Sequence, residues 1–260
     1  MWQNYRVCHA VFPRREAAAR KRVEPMKKAY GIVISSGKTE TLSGGIETPF
    51  LYLNDRPVLA YPLMALQKAA SIEGIVVAIP PERAENLLRM VKLFGLNKIR
   101  KIVSGGVRRA TAMADALSWV PRETAVTAVL DPSQPLVTPA QIDEVVKVAS
   151  RAGNAVGASP LPNAVYRLGK RKTFDARAAA AGEGWMLSGP QAYATEKLRA
   201  AYPGKSAAAA KAAPADEAEM LARAGEAPHM VPMPYPALRI TASEDLRSAV
   251  ALLSWAFAEK

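Results

Sequence analysis

From Tyr30 onward, short β-branched and apolar runs alternate with stretches whose apolar residues recur at helical spacing, and this alternation constrains the chain more than any other feature. Tyr30–Ser35, Gly74–Ile79, Ile99–Val103, Ala125–Leu130 and Ala155–Ser159 read as strands. Between them, Leu59–Ala70, Pro81–Leu93, Arg109–Val120 and Pro139–Arg151 read as helices. Runs such as Ile75-Val76-Val77-Ala78-Ile79 have no polar face, so such a strand must be covered on both sides. The predicted class is therefore α/β, a mainly parallel sheet with helices on both faces.

Two helix starts are marked. Thr138-Pro139-Ala140-Gln141 combines an N-cap threonine, a proline at the first helical position and a glutamine positioned for a capping box. The helix it opens carries Ile142, Val145, Val146 and Ala149 on one stripe. At the C-terminus, Ser243–Ala258 is predicted as a final amphipathic helix with Ser243 as its N-cap and Glu244 and Asp245 in the first turn.

After Ser159 the alternation lapses. Pro160 and Pro162 precede Val165–Leu168, the basic run Lys170-Arg171-Lys172 and an alanine-rich stretch to Gly184, which together read as an excursion from the sheet. Residues 203–214, PGKSAAAAKAAP, are low-complexity and are predicted to form a flexible loop.

Composition removes several function classes. Cys8 is the only cysteine and His9 and His229 the only histidines, so neither an internal disulfide nor a zinc cluster is expected. No apolar run approaches the roughly 18 residues of a membrane span, and the expectation is a cytoplasmic protein without a membrane partner. Half of the net charge of +12 lies in residues 1–28, where Arg and Lys far outnumber Glu16 and Glu24. The charge left to residues 29–260 suits small phosphorylated ligands, and a nucleic-acid partner is not expected. Residues 1–28 are predicted to be a disordered basic extension; Met26, just before Lys27-Lys28, leaves open an over-long reading of the gene start, a basic tail or a transit peptide.

In an open parallel sheet, ligands bind beyond the carboxyl ends of the strands. Ser35-Ser36-Gly37-Lys38 follows the first strand and runs on to Ser43-Gly44-Gly45. Ser104-Gly105-Gly106 follows the third, and Asp131 ends the fourth. Backbone N–H groups in such loops can cradle phosphates, although neither loop has the P-loop or dinucleotide spacing and a plain turn stays open. Asp131 can hold Mg²⁺ or a sugar hydroxyl, or can simply cap the turn before Pro132. Arg109 can pair with a phosphate or a carboxylate, or can be a solvated residue in the first turn of its helix.

These three sites, in this order and spacing, resemble the 2-C-methyl-D-erythritol 4-phosphate cytidylyltransferases of isoprenoid precursor synthesis. Gly31-Ile32-Val33-Ile34-Ser35-Ser36-Gly37 looks like that family's first strand and A-A-G turn, and Phe50 to Leu59 like its F-L-x-L-x-G-K-P-V-L. Gly105 to Arg109 matches G-G-x-x-R, Asp131 with Pro135 matches D-A-A-R-P, and Gly189-Pro190-Gln191 resembles T-P-Q. Asp216-Glu217-Ala218 resembles T-D-[DE]-A-S, and Arg239-Ile240-Thr241 with Glu244-Asp245-Leu246 resembles I-K-[IV]-T-x-P-E-D-L. The resemblance implies a Rossmann-like nucleotidyltransferase domain over residues 29–260, with a β-arm at about 160–185 through which such enzymes pair as homodimers. It further implies CTP and a small phosphorylated acceptor as ligands, with Mg²⁺ as cofactor. By the same resemblance Ser35, Ser36, Gly37, Gly105 and Gly106 would frame the cytosine, Asp131 would hold Mg²⁺ and ribose, and Arg109 would orient the nucleotide. Arg239 would approach the transferred phosphate, and Lys38 would supply a second charge.

The departures fall on the cations. Where the family reads A-A-G-x-G-x-R-M followed by P-K-Q, this chain has Thr39, Thr41 and Glu47-Thr48-Pro49. The arginine of D-A-A-R-P is Gln134, R-D-T is Pro162-Asn163-Ala164, the threonine of T-D-[DE]-A-S is Ala215, and the lysine of I-K-[IV]-T is Arg239. Attack of a phosphate on the α-phosphorus of CTP gathers negative charge, and each preorganised group that meets it is worth about 10²–10³ in rate. Three outcomes follow from the residues: a cytidylyltransferase of weak or altered activity, a non-catalytic relative that binds nucleotide or a partner, or a nucleotidyltransferase for another sugar or polyol phosphate.

Overall fold

The computed structural model describes residues 28–35, 41–42, 46–105, 108–169, 173–180, 183–202, 216–233 and 238–258. In chain order the elements are β1 (Ala29–Ile34), β2 (Thr41–Leu42), β3 (Ile46–Glu47), β4 (Tyr52–Leu53), β5 (Arg56–Pro57), α1 (Ala60–Lys68), β6 (Ile72–Ile79), α2 (Ala84–Phe94), β7 (Ile99–Ser104) and α3 (Arg109–Ser118). There follow β8 (Val126–Leu130), α4 (Pro139–Ala152), β9 (Asn154–Pro160), β10 (Val165–Leu168), β11 (Phe174–Ala179), β12 (Trp185–Ala194), α5 (Thr195–Ala201), α6 (Glu217–Arg223), β13 (His229–Pro232) and α7 (Ser243–Ala258).

Seven strands form one sheet in the order β13-β9-β12-β8-β1-β6-β7. The pairs β1/β6, β1/β8, β6/β7 and β9/β13 are parallel, whereas β12 runs antiparallel to both β8 and β9. The α/β class with a mainly parallel sheet is thus borne out. The chain leaves β1 toward β6 and β7 on one side and returns to place β8 on the other, so the winding reverses at β1, where a crevice opens between neighbouring strand ends.

Period-2 alternation divides the core. Val33, Ile75, Val77, Ile79, Ala128 and Leu130 face one side, under Leu63 and Leu66 of α1, Leu87 of α2, and Val145 and Val146 of α4. Ile32, Ile34, Val76, Ala78 and Val129 face the other, under Met113 and Leu117 of α3, Leu198 of α5 and Leu221 of α6. β1, β6 and β8 are therefore apolar on both faces, as their sequences required. A third cluster sets Ala249 and Leu253 of α7, with Ile240, against Leu53 and Val58 beside the β4/β5 hairpin. Among the described residues no helix is long and apolar enough to cross a membrane.

Helix boundaries follow local chemistry. At α4 the capping box forms as the sequence predicts, with Thr138 Oγ1 accepting from Gln141 N and Thr138 N donating to Gln141 Oε1. The helix expected from Pro81 opens instead as a 3₁₀ turn, Pro81–Arg83, before α2. At α7 the prediction of Ser243 as N-cap is corrected, because Ser243 is already helical. The Asp245 carboxylate accepts from Thr241 N at 2.7 Å and Ala242 N at 2.9 Å, and so takes over the capping. Those hydrogen bonds outweigh its partial burial and hold its carboxyl below the usual range.

Gly31 lets α1 approach β1 closely. A Cβ there would lie 2.8 Å from Leu66 Cδ2 and 3.1 Å from Leu66 Cδ1, inside van der Waals contact. Gly31→Val should therefore overpack the first layer and lower stability by about 1–3 kcal/mol. A reduced urea midpoint at unchanged slope would show it, and adding Leu66→Ala should recover part of the loss.

Candidate active site

The carboxyl ends of β1, β6, β7 and β8 converge on one edge of the sheet. Ser35, just past β1, donates its N–H to Ala78 O at 2.8 Å, and Gly105, just past β7, donates its N–H to Ile79 O at 2.7 Å. Both loops are thereby clamped to the end of the intervening β6. A Cβ on Gly105 would stand 2.4 Å from Ser35 O and 2.8 Å from the carbonyl carbon of Ile79, and both of those atoms are backbone. Neither can move without breaking the sheet, so this position admits glycine alone. Ser35 and Gly105, far apart in sequence, thus form one wall.

Asp131 closes β8. Its Oδ1 accepts from Ser133 N at 2.8 Å, which makes the tight turn open to it in the sequence. Its Oδ2 lies 3.0 Å from Arg239 Nε, in an ion pair whose side chains are 21% and 45% exposed respectively. Arg239 arrives there because its neighbour Ile240 is buried in the third cluster and donates its N–H to Ser133 O at 2.9 Å. The structure thus brings Asp131 and Arg239, two residues assigned to one site by resemblance, into direct contact.

Arg109, the first residue of α3, is not a solvated first-turn residue. Its Nε and Nη2 donate to Glu217 Oε1 and Oε2 at 3.0 and 2.9 Å, a two-pronged pair in which Glu217 is fully buried. Tyr202 donates its hydroxyl to Glu217 Oε1 at 3.2 Å. Burial opposes the charge on Arg109, but the facing carboxylate of Glu217 outweighs it, with Asp131 adding to the effect, so the guanidinium is held more firmly protonated than usual. Burial, and then the Glu217 carboxylate, push the Tyr202 phenol far up, which keeps it a neutral donor. Glu217 and Tyr202 were given no role from sequence; the motif around Glu217 was legible, but nothing local pointed to an arginine 108 positions earlier.

The segment at which the family carries lysine is occupied differently. Thr48 is buried in a 3₁₀ turn, Thr48–Phe50. Beside it Glu47 pairs with Arg83 Nε at 2.5 Å, and the Arg83 guanidinium lies 5.1 Å from the Phe50 ring centre. A cation does reach this turn, from the start of α2, but a carboxylate already neutralises it. Gln134 is buried and donates its N–H to Asp131 O at 3.3 Å, and Ser133 Oγ, 1% exposed as a residue, has no hydrogen-bond partner among the described residues. Ser36, Gly37, Lys38 and Gly106 lie outside the described residues, as do Thr39, Ala215, residues 1–27 of the basic extension and the loop at 203–214. Thr41 is described only as part of β2.

As to Mg²⁺, the described residues contain no group of three or more His, Cys, Asp or Glu side chains that would hold a metal ion. Asp131 offers one carboxylate, and both its oxygens are engaged, one by an arginine. As arranged, this donor set does not fit a metal bound by the protein itself.

Comparison with known proteins agrees with this fold. Residues 30–255 match the family described as 2-C-methyl-D-erythritol 4-phosphate cytidylyltransferase, IspD. The chain is 27% identical over 230 residues to the 2-C-methyl-D-erythritol 4-phosphate cytidylyltransferase of Pelotomaculum thermopropionicum, covering 88% of this chain and 95% of that one. It is 30% identical to the bifunctional enzyme IspD/IspF of Desulforudis audaxviator, over 88% of this chain and 57% of that larger protein. Among solved structures, 4-diphosphocytidyl-2C-methyl-D-erythritol synthase from Anaerococcus prevotii superposes with a TM-score of 0.73 at 17% identity, over 88% of this chain and 96% of that one. A CMP:2-keto-3-deoxy-manno-octonic acid synthetase complexed with CTP superposes with a TM-score of 0.62 at 14% identity, over 88% and 99% of the two chains.

Removing Glu217 would leave the Arg109 charge half-buried without its partner. Glu217→Ala should cost about 3 kcal/mol, the lower end for a broken buried pair because Arg109 keeps 31% exposure. Thermal unfolding would register this as a clear drop in Tm.

Proposed function

Because the chain belongs to the 2-C-methyl-D-erythritol 4-phosphate cytidylyltransferase family, we propose that it binds CTP at this edge and transfers CMP to a small phosphorylated polyol, through a site weakened at the transferring phosphate. The observation that carries this reading is the wall at which Gly105 meets Ser35 with no room for a Cβ. A close-packed backbone edge of this kind, with no side chain rising from Gly105, gives a planar base a surface on which to lie. Its demand for glycine has been kept while the loop cations have not.

In this reading an oxygen of the acceptor phosphate attacks the α-phosphorus of CTP, a new P–O bond forms, and pyrophosphate leaves. Arg109, pinned by Glu217, orients the nucleotide end, and Asp131 accepts from ribose hydroxyls. Arg239, held over the Asp131 turn, faces the charge that gathers on the phosphoryl oxygens. With Thr41 and Thr48 in place of arginine and lysine, two stabilising charges are missing, and turnover falls accordingly. An acceptor other than methylerythritol phosphate is a second reading, favoured by the exposed Pro162-Asn163-Ala164 where the family carries R-D-T, since these three residues bring no charge to an acceptor phosphate.

Pairing of two copies belongs to the same reading. The β10/β11 hairpin and the first half of β12 expose Val165, Tyr166, Leu168, Trp185, Met186 and Leu187, an apolar surface of the kind that an interface covers. A second copy presenting the same arm would bury it.

Calorimetric titration of the purified chain tests the reading. CTP should bind in the micromolar range and ATP should not; equal affinity for both, or none for either, would overturn it. Thr41→Arg combined with Thr48→Lys should raise cytidylyl transfer by about 10²–10³. Tyr166→Asp with Leu168→Asp should halve the mass measured by light scattering.

A further inference from the structure

We propose that Arg239 takes the place of a divalent cation at Asp131, so that CTP binds here without Mg²⁺. The proposal rests on the CTP reading above and deepens it. Three observations carry it.

The first is occupancy of the carboxylate. Ser133 N and Arg239 Nε take one oxygen each of Asp131, at 2.8 and 3.0 Å. A dication approaching that carboxylate would meet a guanidinium already at hydrogen-bond distance, and would have to displace it against like-charge repulsion. Among the described residues no group of three or more His, Cys, Asp or Glu side chains gathers there to tip the exchange.

The second is anchorage. Arg239 does not hang from a free loop: Ile240 next to it is buried, and Ile240 N donates to Ser133 O, in the same turn that Asp131 caps. Carboxylate and guanidinium are tied to one another through a turn of three residues on one side and a single residue on the other. The charge is therefore preorganised, which is what a bound metal would otherwise supply.

The third is the residue type. An arginine whose Nε lies in an ion pair with a carboxylate keeps two Nη nitrogens for another anion, and its planar fork matches two phosphate oxygens at once. A lysine ammonium in the same pair would be a single point of charge, able to swing away. At 45% exposure, Arg239 is open to an incoming phosphate while still fixed to Asp131. The site thus combines an acid engaged on both oxygens, a strapped guanidinium beside it and, among the described residues, no group of three potential metal ligands.

The test is a CTP titration of the full chain by calorimetry, once with excess Mg²⁺ and once with EDTA. The expected result is the same Kd in both. Arg239→Gln should weaken binding in EDTA by about tenfold or more, the size of one charge-assisted contact, and addition of Mg²⁺ should recover part of it. Mn²⁺ without nucleotide gives a readout apart from affinity: water-proton relaxation should detect a bound ion in the Arg239→Gln chain and none in the unaltered chain. If the unaltered chain binds CTP only with Mg²⁺, the proposal falls while the CTP reading stands. If a folded chain, checked by circular dichroism, binds CTP under neither condition, both fall.

Discussion

A parallel strand covered by helices on both faces has no side chain to give to water, and this constraint governs the molecule. Val33 and its neighbours Ile32 and Ile34 are fully buried on opposite sides of one strand, so β1 cannot carry a functional group along its length. Chemistry is pushed to the strand ends, where backbone N–H groups and turn residues emerge together. Some of the polar side chains left inside satisfy one another: Thr127 bonds to Thr195, and Ser159 to Ser188, each at 2.8 Å. The edge that gathers Ser35, Gly105 and Asp131 is thus the place where a sheet of this construction can meet a polar ligand.

At that edge, positive charge is arranged in pairs. Arg109 is matched by Glu217, Arg239 by Asp131 and Arg83 by Glu47. The pairs differ in burial and so in consequence. Glu217 is wholly enclosed, and its pairing with Arg109 fixes the relation of α3 to α6. Asp131 and Arg239 are partly open, and their pairing orients a charge without hiding it. The net charge of +12 says little about this edge, because half of it lies in the first 28 residues and the arginines here are each answered by a carboxylate.

The legible parts of the fold were those in which one segment decides its own state. The runs that became β1, β6, β7, β8 and β9 are apolar and β-branched, and Thr138-Pro139-Ala140-Gln141 carries the whole logic of its cap. β12 was not legible, because Gly189-Pro190 interrupts its run; the structure absorbs them in a bulge between Leu187 and Gln191, opposite Gly157 of β9. In the site, the positions of Ser35, Gly105 and Asp131 could be read from strand ends alone. The partners of Arg109 and Asp131 could not, since Glu217 and Arg239 reach them from more than 100 residues away. Ser243 shows the same limit on a small scale: a serine before an apolar run is a fair N-cap, yet the helix already includes Ser243, and Asp245 reaches back to the N–H groups of Thr241 and Ala242.

The place of β12 has a bearing on how the chain is built. The block β7-β6-β1-β8 contains only strands that precede residue 131, and can be assembled as soon as that much chain exists. β9 comes next in sequence but has no edge of its own on that block, because β12 stands between it and β8. During synthesis β9 must wait, apolar and unpaired, until the arm has been made and Ala194 has emerged. The one antiparallel strand among the seven of this sheet thus sets the order of assembly: it is a late keystone, and until it arrives β9 cannot be joined to the strands already made.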